Sequence, residues 1–195
     1  AFFETLSGFS TTGATILEDI ESVSKGILLW RSMSQWIGGM GIIVLTVAIL
    51  PILGIGGMQL FVAEAPGISP DKFQPRIKET AKRLWIIYIG FTGLEMIFLM
   101  VGDMTFFDAL NHSLTTMASG GFSTKNSSIA YYDSAYIDFI IVTFMFLAGT
   151  NFTMIYFGLH GKIKKVFQNQ EFRTYGIFCL VITIFCTLGI WMNGN

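Results

Sequence analysis

Long apolar runs alternate along this chain with short segments rich in Gly, Ser and Thr. No charged residue occurs between Arg31 and Glu64. A second run, Leu84 to Gly102, contains only Glu95, while Phe139 to Gly158 contains none and Thr174 to Met192 closes the series. Each reaches the ~20 apolar residues a helix needs to cross a bilayer, so the pattern predicts about four transmembrane helices. Composition points the same way: 52% of the 195 residues are hydrophobic and only 13% charged, against about 25% charged in ordinary soluble domains. Mean hydropathy is +0.61. A net charge of −1 gives no electrostatic reason to expect nucleic acid as a partner.

The segments between the runs carry the second pattern. GFSTTGATIL (Gly8 to Leu17) is small and hydroxyl-rich. The stretch from Thr105 to Ser128 begins as a short apolar helix pattern and ends in SGGFSTKNSS. A shift of 108 residues aligns the two: Ala1, Leu6 and Gly13 fall on Ala109, Leu114 and Gly121, while Thr5, Ser7, Thr11 and Thr15 fall on Ser113, Thr115, Ser119 and Ser123. The same shift sets Gly41 on Gly149. A helix of about ten residues cannot span a membrane. It must enter and turn back, and irregular backbone at that depth is tolerated only inside protein or along a watery cavity. Glycine turns successive carbonyls to one side, and a ring of carbonyls replaces the water shell of an alkali cation.

Taken alone, GFSTTGAT reads as an interhelical turn. A phosphate loop is the weaker reading still, for want of a GK[ST] ending and a preceding strand. Two copies, each before a long helix, favour re-entrant pore loops. The expected fold is therefore all-α: a polytopic membrane protein of helix–pore loop–helix repeats, with about four transmembrane helices and two pore loops.

Charge sidedness orients it. Lys72, Arg76, Lys78, Lys82 and Arg83 lie between the first two runs, and Lys162, Lys164, Lys165 and Arg173 between the last two, nine of the twelve basic residues. The opposite side carries Glu4, Glu18, Asp19, Glu21, Asp103, Asp108, Asp133 and Asp138. The basic loops are expected in the cytoplasm and the pore loops outside. The opening AFFETLSGF has neither an initiator Met nor a basic leader and reads as an internal segment.

FSTTGATIL, the stretch from Gln35 to Gly67, PRIKETAKRLW (Pro75 to Trp85) and TMASGGFSTKNSS (Thr116 to Ser128) together resemble the Trk/Ktr/HKT superfamily of potassium transporters, in particular its TrkH-type membrane subunit. The resemblance implies four repeats around one pore. Residues 1–63 are then the pore loop and second helix of repeat one, and 64–83 a cytoplasmic interfacial segment. Residues 84–158 form a complete repeat two, 159–173 a cytoplasmic loop, and 174–195 the first helix of repeat three.

It also implies filter segments at Thr11, Thr12 and Gly13, flanked by Ala14, and at Ser119, Gly120 and Gly121, flanked by Phe122. Gly13 and Gly121 match the filter glycine of the potassium-conducting members; sodium-favouring plant relatives carry serine at one such position. Potassium uptake across a bacterial-type inner membrane, a homodimer, and a cytosolic nucleotide-binding TrkA-like regulatory subunit follow from the same resemblance. No enzyme activity and no cofactor are expected, with K+ as the transported ion. The alternative is a proton- or sodium-coupled transporter that uses an intramembrane carboxylate.

Three residues are candidate modulators. Glu95, costly in a span, reads as a structural hydrogen-bonded acid in preference to a proton relay. Lys125 reads as the partner of an outer acid rather than as a cation-repelling group, and Arg31 as either a brace for a pore loop or an interfacial charge. His112 is expected to be packed, and Cys179 and Cys186 to be free thiols. Pro51 and Gly54 to Gly57 are expected to loosen the inner half of the first span.

Overall fold

A computed structural model describes residues 1–49 and 74–193. Pro51, the Gly54–Gly57 run and residues 64–73 of the predicted interfacial segment lie outside the described residues. The described chain is helical, and no strand occurs among the described residues. In order the helices are α1 (Phe2–Phe9), α2 (Lys25–Ile49), α3 (Gln74–Val101), α4 (Phe106–Met117), α5 (Ala135–Ala148), α6 (Phe152–Leu159), α7 (Ile163–Gln168) and α8 (Gln170–Asn193), with a 3-10 turn at Ser128–Tyr132. They form two compact units, Ala1–Ala148 and Gly149–Asn195.

In the first unit, α2 packs against α1, α3 and α4, and α4 also packs against α3 and α5. The two short helices α1 and α4 are thus held by the long ones rather than by each other. α2 approaches α1 closely because Gly38 has no side chain: a Cβ there would overlap the backbone of Phe9. Small residues play this part in membrane helix packing, where backbone approach replaces the hydrophobic drive. Trp36 ties α2 to α3. Its indole N–H donates to the Thr92 hydroxyl at 3.1 Å, the Tyr88 hydroxyl donates to its carbonyl at 3.1 Å, and its ring meets those of Trp85 and Tyr88 at 6.0 and 5.3 Å. Leu99, Met104, Ala109, Ile137 and Ile141 form a core where α3, α4 and α5 meet.

α4 starts at an N-cap. Thr105 is extended and its hydroxyl accepts from the Asp108 N–H, satisfying one of the free amides of the first turn.

The second unit is α6, α7 and α8, in which α7 packs against both others. α8 is apolar on every side, with Phe185 78% and Ile190 74% exposed. A helix of this kind requires lipid or further protein around it.

Two segments, Lys82–Val101 and Gln170–Ile190, are long and apolar enough to cross a membrane by themselves. α2 has the length, about 37 Å at 1.5 Å per residue, but its first half carries Lys25, Arg31, Ser32, Ser34 and Gln35. The third predicted span is two helices, because α5 stops at Ala148 and α6 begins at Phe152. The intervening Gly-Thr-Asn is weakly helical, since Gly loses backbone entropy and Thr and Asn compete for backbone hydrogen bonds. At the position matched by the 108-residue shift, Gly41, α2 continues unbroken.

Other expected boundaries shift too. The described part of the expected interfacial segment, residues 74–83, runs without a break into the second span as α3; its Pro75 stands in the first turn, where it is tolerated. The expected cytoplasmic loop 159–173 contains α7 and the start of α8.

Candidate functional site

The two segments related by the 108-residue shift have the same backbone. α1 ends at Phe9 and α4 at Met117, positions that correspond. The residues after them, Ser10 and Ala118, have φ/ψ of −82°/0° and −82°/−6°. Thr11 and Ser119 then turn left-handed, both at φ 54°, and Gly13 and Gly121 follow at φ 75° and 79°.

The hydrogen bonds also repeat. The Thr11 N–H donates to the Gly8 carbonyl at 2.9 Å and the Thr12 N–H to the Ser7 carbonyl at 3.0 Å. In the second copy Ser119 donates to Thr116 at 2.9 Å and Gly120 to Thr115 at 2.9 Å. This double closure is a Schellman cap. It satisfies the last helical carbonyls and turns the chain back along the helix it has just left. A left-handed residue there is ordinarily Gly, and a β-branched Thr at φ 54° is strained.

The segments meet. A Cβ on Gly13 would overlap the Gly120 carbonyl oxygen, whereas a Cβ on Gly121 would have nothing within 4 Å. A cavity of about 280 Å³ borders the second segment, lined by Thr116, Ser119, Gly120, Gly121 and Phe122 among others. His112 also lines it, is 2% exposed, and leaves Nε2 without a hydrogen-bond partner. Its ring stands edge-on to Tyr132 at 5.8 Å.

Carboxylates on the short helices hold the ascending chain. Glu4 Oε1 accepts from the Ile16 N–H at 2.7 Å and from the Thr15 hydroxyl at 2.8 Å. In the second copy the Thr124 hydroxyl, at the position matching Ile16, donates to Asp108.

Arg31 is buried rather than solvated, so of its two readings the structure supports the brace. Its Nε donates to Glu4 Oε2 at 2.8 Å and Nη2 to Thr15 Oγ1 at 3.1 Å. The guanidinium lies 4.1 Å from the centroid of the Phe122 ring, a cation–π stack on the other segment.

One turn further along α2, Gln35 accepts the Phe122 N–H through Oε1 at 3.2 Å. Nothing in the sequence singles out Gln35. Its partner is 87 positions away, and an amide inside an apolar run carries no local motif.

Outside the membrane-spanning segments, Asn126 joins the loop that precedes α2 to the loop that follows α4. Its Oδ1 accepts the Ile20 N–H at 2.8 Å and its Nδ2 donates to Asp19 at 2.9 Å. That bond, against slight desolvation, holds the Asp19 carboxyl below its usual range. Lys125 lies 3.8 Å from Glu21 and 4.2 Å from the Tyr131 ring. Glu95 departs from expectation. It is fully buried in α3, and neither carboxylate oxygen has a hydrogen-bond partner, although the Thr116 side chain faces it. Cys179 and Cys186 are free. No cluster of metal-ligating side chains occurs among the described residues.

Short helices that end in duplicated caps against long apolar helices define a helical membrane protein of pore-loop repeats. A family model for TrkH, described as a cation transport protein, matches residues 1–189, and the chain belongs to that family. Among its relatives, the Trk system potassium uptake protein TrkH of Salmonella typhimurium is 48% identical over 195 residues, a match covering 99% of this chain and 40% of the relative. The Trk system potassium uptake protein TrkG of Escherichia coli is 37% identical over 196 residues, covering 40% of that protein. The crystal structure of the potassium transporter TrkH from Vibrio parahaemolyticus superposes with a TM-score of 0.81 at 39% identity, over 98% of this chain and 38% of that one. The chain thus spans about two fifths of the length of these relatives.

Proposed function

We propose that Thr11–Gly13 and Ser119–Gly121 are neighbouring quarters of a selectivity filter through which the whole protein takes up K+, driven by the membrane potential. The observation that supports this most is the repetition itself: two segments with matching dihedral angles, in contact at Gly13 and Gly120. Carbonyls in this reading replace the hydration shell of the ion. The C-terminal ends of α1 and α4 add partial negative charge near it, and Ala14 and Phe122 flank the filter. K+ is then the transported substrate, and no cofactor or enzymatic step is required. Relatives named as potassium uptake proteins support the choice of ion.

The basic loops face the cytoplasm of a bacterial-type inner membrane in this reading, and the pore loops face out. A second copy of the subunit and a nucleotide-binding TrkA-like partner complete the assembly. The test is ion flux in vesicles containing the full-length protein. An inside-negative potential is expected to drive K+ uptake in preference to Na+, and Gly121→Ser to weaken that preference. Absence of K+-preferring flux in the unmodified protein rejects the reading.

The buried, unpartnered carboxyl of Glu95 favours a second reading, in which K+ entry is coupled to a proton. Uptake whose pH dependence disappears in Glu95→Gln supports it. Uptake indifferent to that change rejects it.

A further inference from the structure

We propose that Gln35 is a positioning residue for ion discrimination: it holds the peptide between Gly121 and Phe122 so that the Gly121 carbonyl faces away from α2 and toward the ion path. The inference rests on the filter reading above and assigns a task to a residue of a different repeat.

The geometry carries it in three steps. Phe122 N–H is a donor and can pair only with an acceptor, so the Gln35 amide is oriented with Oε1 toward the filter segment, at 3.2 Å. The peptide is planar and trans, so its C=O points opposite to its N–H; fixing the N–H on the α2 side sends the Gly121 carbonyl to the other side. Gly121, at φ 79° with open space around it, has the backbone freedom to let that peptide rotate. A fixed N–H removes that freedom where nothing else packs against the residue.

Two further observations support a dedicated role. Gln35 is fully buried, yet its Nε2 has no hydrogen-bond partner among the described residues. A buried unpaired donor is costly, and a hydrocarbon side chain of the same length would fill the space without it. Packing alone therefore does not account for an amide here, whereas the acceptor Oε1 does. Gln35 also lies against Gly120, where any Cβ would overlap it, so the segment is seated on this side chain at two points. The brace is not repeated: the 108-residue shift places Phe139 and Thr143 where Arg31 and Gln35 stand. Phe139 is 69% exposed, and the Thr143 hydroxyl donates within its own helix to the Phe139 carbonyl at 2.8 Å.

The test is the K+ over Na+ permeability ratio of the full-length protein in vesicles, read from reversal potentials. Gln35→Met keeps length and apolar contact, removes the acceptor together with the unpaired Nε2 donor, and leaves the Phe122 N–H without its partner. Replacing the Phe122 amide by an ester removes only the N–H. Each change is expected to lower the ratio about fivefold, the equivalent of one ordinary hydrogen bond, and the two together no further. Gln35→Glu, which retains an acceptor, is expected to restore most of the discrimination lost in Gln35→Met. A ratio in the ester-substituted protein equal to that of the unmodified protein overturns the proposal, as does an additive loss in the pair. Failure of the unmodified protein to prefer K+ would instead overturn the filter reading on which the proposal rests.

Discussion

Thr11 and Ser119 stand 108 positions apart and share a φ of 54°, each as the left-handed residue that turns the chain back from a short helix. Neither is glycine, so each copy holds an L side chain in a region that costs roughly 1–2 kcal/mol. Replacing either by glycine is expected to raise the thermal unfolding temperature of the full-length protein in detergent. The gain should be at most about 1 kcal/mol, because glycine also gains entropy in the unfolded chain, and should be larger at the β-branched Thr11. Unfolding temperatures lowered by both substitutions would show that the hydroxyls contribute more than the strain costs.

Gly13 and Gly121 share a backbone but differ in surroundings. Gly121→Ala meets open space and costs backbone strain alone, about 1–2 kcal/mol. Gly13→Ala adds an overlap with the Gly120 carbonyl that cannot relax without parting the two segments. The first variant is expected to accumulate in membranes near the level of the unmodified protein and the second to be strongly depleted, as size-exclusion profiles of detergent extracts would show.

Glu4 and Arg31 are side chains 11% and 4% exposed, 2.8 Å apart. Removing one partner of such a pair strands the other, at about 3–5 kcal/mol. Arg31→Met and Glu4→Gln are each expected to destabilise, and the double variant to lose less than their sum. Additive losses in a double-mutant cycle by thermal unfolding would deny the coupling. Arg31→Lys is expected to be a poor substitute, since an ammonium cannot serve Glu4, Thr15 and the Phe122 ring together.

The Asp19–Asn126 contact predicts a pH dependence with a definite sign. Asp19 titrates lower in the folded protein than in the unfolded chain. Its contribution to stability is therefore complete above the ordinary Asp value of about 3.9, and is lost as pH falls through the lower folded value. In Asn126→Ala the Asp19 carboxyl is expected to move back up toward that ordinary value, and carbonyl chemical shifts followed through an acid titration would show it. An unmoved titration would assign the shift to the Glu21 and Ser22 contacts instead.

The repeat was readable from residue types because its requirements are local. A short apolar helix and a hydroxyl residue two positions before a glycine lie within about a dozen residues of each other in each copy, and the constant shift of 108 then pairs the copies. The helix limits were less readable. α3 continues through Arg83 because no residue there stops a helix, and α5 ends before Gly149 although α2 passes through Gly41. The same residue type thus has two outcomes under different packing. The braces were hidden for another reason. Arg31 reaches Glu4 over 27 positions, and Gln35 reaches Phe122 over 87, so only the folded chain brings these pairs together. Glu95 was visible as a charge in a span, but its lack of a hydrogen-bond partner depends on the surfaces of α3 and α4 as packed.

The most direct test of the pore-loop account is a crystal structure of the full-length protein grown with Rb+ in place of K+, with anomalous differences recorded at the rubidium edge. Anomalous density is expected between the two segments, in contact with carbonyl oxygens of Thr12–Gly13 and Gly120–Gly121 and displaced by excess K+. Density absent from that position, or bound instead at Glu95, would contradict it.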